Sequence, residues 1–457
     1  MTELLIAILV CAVVAGIMWM NKRLRENIQN IFKIEELRKR IYYTLFIILI
    51  YRFGSHVVLP GIDPNVLSEP LFGKKSDEGL LGLLNMFSGG AFAKASVFAL
   101  GIMPYITASI IVQLLGMAIP YFQRLQKEGE SGHRKINQIT RYLTVLVVGV
   151  QAPGYIAAIP SSAIVDGGST FFWISSVIIL IAGTLLIMWL GERITDKGIG
   201  NGISLIIMIG IIARLPFGLV AEFSSRFSET GNGGPLMFLI EIVFLVLVII
   251  MTILLVQGTR KIPVQYAKRV VGNKQYGGVR QYIPLKVNAA GVMPIIFAQA
   301  IMFIPIAIFG YTGTGGALTN MNSFWYNFVF FILIVLFTYF YTAVTINPAQ
   351  MAEDIKKNGG FIPGVKPGKQ TKEYIDDIMS RITLPGSIFL GIVAIMPAIV
   401  SILGVNQQFS QFYGGTSLLI LVGVVLDTLQ QIESHLLMRH YDGLTKSGRI
   451  KGRVGRM

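Results

Sequence analysis

Apolar stretches long enough to cross a membrane recur along almost the whole of this chain, and they constrain its fold more than any other feature. A transmembrane helix needs about 20 predominantly apolar residues to span a hydrocarbon core of roughly 30 Å. Only 14% of the 457 residues are charged, against about 25% in a typical soluble domain. We therefore predict an all-α polytopic membrane protein, with helices over 4–20, 41–58, 97–118, 139–158, 171–190, 202–220, 235–256, 290–309, 324–346, 384–404 and 414–432.

The distribution of Lys and Arg predicts how the last ten of these helices, which we call spans one to ten, are oriented. The connections 310–323 and 405–413 contain no Lys or Arg. Cytoplasmic loops of membrane proteins carry an excess of basic residues, so span one is predicted to begin in the cytoplasm. The segments that this orientation places inside are 121–141, 191–201, 257–289, 347–383 and the tail after 432.

The connection 257–289 is more basic than topology alone requires. It contains seven Lys and Arg residues and no Asp or Glu. A surface of this kind suits nucleic acid or an acidic protein, with an affinity that falls as salt is added. The general preference for basic loops inside explains part of the charge, so both interpretations stay open.

Two short echoes suggest that spans one to five and six to ten are copies of one another. Gly101–Pro104 in span two resembles Gly291–Pro294 in span seven, and Gly202–Ile207 in span five resembles Gly415–Ile420 in span ten. Because five is an odd number, the second copy must enter the membrane from the opposite face. This arrangement is an inverted repeat, whose interface is expected near the middle of the membrane.

The echoed segments bring branched aliphatic residues, and no carboxylates, to the predicted interface. A solute transporter normally keeps ionisable side chains within the membrane, and the spans concerned have almost none before Asp427. A ring of aliphatic side chains instead forms a dry constriction that blocks ions. Ordinary packing between helices is the alternative role for these residues. They are Ile102, Ile106, Ile203, Ile207, Ile296 and Ile420.

The stretch Met86–Gly116 begins as a half-polar, glycine-broken segment and becomes an apolar helix that contains Gly101 and Pro104. Proline removes a backbone hydrogen bond that lipid cannot replace. Broken helices of this kind usually line a path through the membrane, and we expect the same here.

Six blocks of this sequence resemble the SecY family, the channel-forming subunits of the bacterial Sec protein translocase. They occur in family order from about Ile31 to the C-terminus. The blocks are NMFSGGAFAKASVFALGIMPYITASIIVQLL, KEGESGHRKINQITRY, WLGERITDKGIGNGIS, PLKVNAAGVMPIIFA, NPAQMAEDIKKNGGFIPGVKPGKQT and FYGGTSLLI.

The resemblance implies ten helices in two inverted pseudo-symmetric halves, with an hourglass pore and a lateral gate between spans two and seven. By position, the pore ring is made of the six isoleucines named above, and the plug lies at about 80–95. The first half would be 31–220 and the second 235–440, after an N-terminal extension 1–30 and before a basic tail 441–457. The implied plug residues are Asn85, Met86, Phe87, Ser88, Gly89 and Gly90, and the lateral gate residues are Pro104, Thr107, Gln113, Asn288 and Pro294.

The resemblance also implies partners and a location. The loops 257–289 and 347–383 would dock the SecA motor or the ribosome on the cytoplasmic face of the bacterial inner membrane. The other partners that the resemblance implies are small SecE-like and SecG-like subunits, signal sequences, unfolded polypeptides and the lipid bilayer. The implied docking residues are Arg260, Lys261, Lys268, Arg269, Lys274, Arg280 and Lys366.

Two features depart from the family pattern. Lys366 stands where the family usually has Arg, which keeps the charge and loses the two-pronged hydrogen-bonding geometry. The apolar segment 4–20 precedes the family start and has no basic residue before it, so it is a poor signal peptide. We predict an additional spanning helix there, and a helix lying at the membrane interface is the alternative.

No motif for an enzyme, a metal or a cofactor is recognised. The single Cys and the four His residues show no ligand spacing, so energy for transport must come from a partner motor, the ribosome or the membrane potential. A protein-conducting channel is the leading hypothesis. The rivals are an inverted-repeat secondary transporter of a small solute and a membrane scaffold or insertase without a pore.

Overall fold

The computed structural model describes most of the chain between 34 and 446. The additional helix predicted at 4–20, the docking residue Lys268 and the end of the basic tail lie outside the described residues. The described ranges are 34–67, 85–165, 169–227, 234–266, 269–271, 274–276, 280–299, 301–302 and 322–446.

The chain forms two compact units, Met1–Ala221 with Val424–Met457, and Glu222–Gly423. Helix α7 crosses the first boundary and helix α13 the second. The helices are α1 (Glu35–Gly54), α2 (Pro64–Leu67), α3 (Met103–Ala118), α4 (Pro120–Lys127), α5 (Glu130–Ala158), α6 (Thr170–Lys197), α7 (Gly202–Phe227), α8 (Gly234–Gln257), α9 (Phe324–Thr345), α10 (Pro348–Lys357), α11 (Lys369–Ile402), α12 (Gln407–Ser410) and α13 (Gly415–Lys446). Residues 293–299 are also helical, and Ser161–Ala163 and Gln411–Tyr413 form single 3-10 turns.

The core of the first unit lies where α5 and α6 pack beside the segment 91–99. Leu180 of α6 and Ala152 of α5 are completely buried there, and Tyr155 is almost so. Helix α6 is capped by Ser169, whose hydroxyl oxygen accepts a hydrogen bond from the Phe172 N–H. Such a cap satisfies a donor that has no partner within the helix.

The second unit contains a small sheet that the sequence analysis did not predict. Strand β1 (Thr259–Tyr266) lies between β4 (Arg280–Lys286) and β5 (Gly360–Phe361), antiparallel to both. A separate hairpin joins β2 (Arg269–Val271) to β3 (Lys274–Tyr276). The loops 257–289 and 347–383 therefore contribute strands to one small sheet, β4–β1–β5. We call these two loops together the sheet platform.

Six described helices are long and apolar enough to cross a membrane: α6, α7, α8, α9 continued through α10, α11 and the first part of α13. The bent pair α3–α4 gives a seventh if it is counted as one span. The prediction had ten such helices besides 4–20. Helix α1 carries charged residues in its first two turns, which shortens its apolar stretch, and 303–321 lies outside the described residues.

Helix limits differ from several predicted span limits, and two of these differences have an identifiable cause. Span two was predicted from 97, but α3 begins at Met103, because Gly101 has a φ of +57° and Pro104 occupies the first turn. Span five was predicted to end at 220, but α7 continues to Phe227. Its last turns contain Glu222 and Arg226, which neutralise each other at 2.8 Å.

Candidate functional site

The segment 85–101, which contains the predicted plug, folds back on itself through its own polar side chains. The Asn85 Oδ1 accepts a hydrogen bond from the Ala93 N–H at 3.1 Å. The Ser88 Oγ accepts one from the Phe92 N–H at 3.0 Å and donates to the Asn85 carbonyl at 3.1 Å. Asn85 and Ser88 are buried, so these bonds satisfy polar groups that would be costly to bury alone.

Among the described residues of the predicted plug, which begin at 85, residues 85–87 are helical and turns follow. Gly89 and Gly90 have φ angles of +65° and +90°, a conformation that glycine adopts without strain. The glycines that mark this stretch in the sequence therefore end the helical turn and reverse the chain.

Two helices of the first unit hold this segment by side-chain contacts to its backbone. The Tyr155 hydroxyl of α5 donates to the Phe92 carbonyl at 2.8 Å, and the two rings meet edge to face with centroids 4.8 Å apart. The Arg52 Nη1 of α1 donates to the Gly89 carbonyl at 3.2 Å. Arg52 and Tyr155 were not identified from the sequence as part of the site.

Helix α7 packs directly against the predicted plug at Gly210. A Cβ atom added to Gly210 would lie 2.7 Å from the Phe87 carbonyl oxygen and 3.3 Å from the Gly89 nitrogen. Any side chain at this position would displace either the segment or the helix. The absence of a side chain at Gly210 therefore allows the predicted plug to pack directly against α7.

The segment carries one basic residue, Lys94, whose charge interacts with those of Arg52 and Arg214. Lys94 is exposed at its tip, and the pKa of its ammonium lies below the ordinary value, chiefly because of partial burial and then because of the guanidinium groups of Arg52 and Arg214. Like charges that face one another disfavour the protonated form.

The predicted pore-ring residues occupy equivalent places in their own units. In the first unit, Ile102 precedes the first residue of α3 and is 2% exposed, with Ile106 one turn later. Ile203 and Ile207 lie one turn apart at the start of α7. In the second unit, Ile296 lies in the helical residues 293–299 and Ile420 near the start of α13.

Among the predicted lateral-gate residues, one polar side chain has a hydrogen-bond partner within its own helix and two have a buried oxygen without one. Pro104 and Pro294 are buried near the starts of their helices. The Thr107 hydroxyl donates to the Met103 carbonyl of its own helix at 3.1 Å. The Gln113 Oε1 and the Asn288 Oδ1 are buried and have no hydrogen-bond partner among the described residues.

The docking residues of the second unit lie on the sheet platform. Arg260 and Lys261 on β1 and Arg280 on β4 are exposed, and below them Val264, Ile262 and neighbouring residues of α10 and α11 form an apolar cluster. Arg269 and Lys274 begin the strands of the β2–β3 hairpin.

Lys366, the remaining docking residue, is exposed in the turn before α11, with its carbonyl accepting from the Thr371 hydroxyl at 3.0 Å. No group of side chains that could hold a metal ion occurs in the part of the chain that the structure describes.

One charged cluster escaped the sequence analysis. Glu222, Arg226 and Glu241 are all buried in the second unit, and Arg226 pairs with both acids. Two signals were available in the sequence. Glu222 and Arg226 are four residues apart, and Glu241 is the only acid of the apolar stretch 234–257.

Comparison with solved structures identifies the fold. The fold matches a structure described as "The structure of a protein conducting channel", with a TM-score of 0.57, 18% identity and coverage of 87% of this chain and 92% of that one. It also matches "Sec61 in the Canine ribosome-channel complex from the endoplasmic reticulum", with a TM-score of 0.53, 16% identity and coverage of 87% and 92%. At these identities the likeness concerns the fold, which is that of the SecY and Sec61 channels.

Sequence comparison then gives the family. The SecY family model matches residues 96–429. The Protein translocase subunit SecY of Streptomyces scabiei is 44% identical over 436 residues, which cover 91% of this chain and 98% of the relative. The chain belongs to the SecY family, and it is a multi-pass membrane protein. The predicted family is confirmed.

Proposed function

We propose that this protein is the protein-conducting channel of a Sec translocon, which passes unfolded secretory polypeptides across the membrane and releases membrane segments sideways into lipid. The observation that carries the proposal is the family membership, together with a relative that is 44% identical over nearly its whole length. SecY is a family of translocation channels and not a known family of enzymes.

The pore ring is proposed to consist of the six isoleucines named in the sequence analysis. An extended polypeptide presents every kind of side chain, so its pore must seal without offering fixed polar partners. Aliphatic walls do this, and they resist ion flow by staying dry. The positions of Ile102 and Ile203 at the starts of α3 and α7 support this assignment.

The plug is proposed to lie at about 80–95, of which the structure describes 85–95. It is fixed mainly by hydrogen bonds to its own backbone and by a few side chains of the first unit, among them Tyr155 and Arg52. Segments that move are drawn from regions of low local stability.

The lateral gate is proposed to lie between span two and span seven. Gln113 and Asn288 support it, because each keeps a buried oxygen without a donor. An unsatisfied buried acceptor is costly. These two oxygens gain partners if helix α3, which carries Gln113, and the turn that carries Asn288 rearrange, or if a polypeptide backbone enters.

The sheet platform is proposed to dock a cytoplasmic partner, either a SecA-like motor or the ribosome. The exposed cations of β1 and β4 suit ribosomal RNA or an acidic protein surface. The solved Sec61 neighbour is itself a ribosome–channel complex. The proposal also includes SecE-like and SecG-like subunits and a bacterial inner-membrane location with these loops in the cytoplasm. Energy for transport comes from a partner or from the membrane potential.

A transport assay separates this function from that of a secondary transporter. Vesicles containing the full chain and its expected partners should take up an unfolded secretory polypeptide that carries a signal sequence. The same polypeptide without its signal sequence is the control and should stay outside. Saturable uptake of a small solute with no polypeptide transport would contradict the channel proposal and favour the transporter.

A further inference from the structure

A cluster of three charged side chains is buried at one end of the second unit. The Arg226 Nε donates to the Glu222 Oε1 at 2.8 Å, and its Nη2 donates to the Glu241 Oε1 at 2.6 Å. The side chains of Arg226, Glu222 and Glu241 are 6%, 0% and 5% exposed. Helix α8, which carries Glu241 in its third turn, leads at its other end to the sheet platform.

Three of the four carboxylate oxygens in the cluster accept hydrogen bonds from N–H groups. Both oxygens of Glu222 are used, because its Oε2 accepts from the Asn406 N–H at 2.7 Å. Glu241 uses only Oε1; its Oε2 is buried and has no hydrogen-bond partner among the described residues.

The charges of the cluster do not balance if both acids are ionised. Two carboxylates around one guanidinium leave a net negative charge, and a buried charge without compensation costs several kcal/mol. Among the described residues, the titratable groups that act on Glu241 are Glu222 and Arg226 on α7, and Tyr413, whose hydroxyl donates to the Glu241 carbonyl at 2.9 Å. Tyr413 supplies no positive charge.

A single proton restores neutrality, and the hydrogen bonds indicate where it is held. A carboxylate that accepts from two N–H groups is held in its ionised, acceptor-only form, which describes Glu222. The oxygen without a donor belongs to Glu241. We propose that the Glu241 carboxyl is a proton-binding site, so that the cluster consists of an ionised Glu222–Arg226 pair and a neutral Glu241.

The site is connected to the turn between α11 and α12. The Arg226 Nη2 also donates to the Gly404 carbonyl at 2.9 Å, and Glu222 holds the Asn406 N–H. Loss of the proton would leave two carboxylates competing for one guanidinium that also holds this turn. Proton release is therefore coupled to loosening of the turn at Gly404–Asn406.

The first test compares two conservative variants of the full chain in lipid vesicles. Glu241→Gln keeps the oxygen that accepts from Arg226 and places an amide where the proton is held, so its unfolding temperature should equal that of the unaltered protein. Glu222→Gln cannot accept both N–H groups, because its amide nitrogen would face one of them; its unfolding temperature should fall by several degrees. Equal damage from both substitutions, or unfolding of Glu241→Gln alone, would overturn the proposal.

The second test detects the proton itself. The infrared carbonyl band of a protonated carboxyl group should be present at neutral pH, disappear in Glu241→Gln and persist in Glu353→Gln, a control at an exposed acid paired with Lys357. Because the folded chain holds a proton that the unfolded chain releases, stability should fall as pH rises. Glu241→Gln should remove that dependence, and an unchanged band or an unchanged dependence would contradict the assignment.

Discussion

Gly210→Val should make vesicles that contain this protein leak ions in the absence of any polypeptide substrate. The substitution places a Cβ 2.7 Å from the Phe87 carbonyl oxygen, a separation that normal packing does not permit. Overpacking of this kind costs about 1–3 kcal/mol. If the cost is relieved by displacement of the plug, the ratio of displaced to seated plug rises roughly 5- to 150-fold.

The measurement is the ion conductance of single channels or the dissipation of an ion gradient across vesicles. Gly423→Val is the matched control, because Gly423 is also a helical glycine but has no atom within 4 Å of an added Cβ. The control should not leak more than the unaltered protein. A Gly210→Val protein that is folded and as tight as the control would contradict the assignment of 85–95 as the plug.

Val264→Asp should destabilise the sheet platform on which the proposed docking residues lie. Val264 is 0% exposed in β1 and packs within an apolar cluster that includes Ile355 and Ile375. A buried carboxylate without a partner there costs on the order of 3–5 kcal/mol. Partner-driven polypeptide transport should therefore be lost although no docking cation has been changed.

Amide hydrogen exchange checks this directly, since it reports local opening. Protection should be lost in β1 and β4 and retained in α6, which belongs to the other unit. Gln281→Asp introduces the same carboxylate at an exposed position directly opposite Val264 on β4, and it should leave protection and transport unchanged. Retained protection in Val264→Asp would show that the platform does not depend on this cluster.

The structural features that depend on one local property of the chain could be predicted from the sequence. Apolar length predicted the spanning helices that the structure describes, and Gly101 and Pro104 marked a break that is observed before α3. The position of that break within the apolar run could not be read from hydropathy, because residues 97–102 are as apolar as a helix and are nevertheless turns.

The parts that were missed depend on residues far apart in the chain. Tyr155 is 63 residues from Phe92, and nothing in the local pattern around either residue links them. The Gly404 carbonyl is 178 residues from Arg226. Span five was also predicted to end at 220, just before Glu222 and Arg226, whereas pairing between these two residues lets α7 continue.

The sheet platform was missed for a different reason. The loops 257–289 and 347–383 were interpreted through their charge, which concealed the alternation of buried Ile262 and Val264 with more exposed neighbours in β1. Such alternation is the usual signal of a strand with one buried face. Strand β5 has only two residues, which is too short for any pattern.

Site-specific crosslinking tests the central claim most directly. A secretory polypeptide is stalled during export, and photoreactive probes are placed in turn at Ile106, Ile207 and Ile296, with Ile174, an exposed residue of α6, as the control position. Crosslinks from all three isoleucine positions and none from Ile174 are expected if the polypeptide passes through the ring. The absence of crosslinks at the three positions, in vesicles shown to export through this protein, would contradict the pore that we propose.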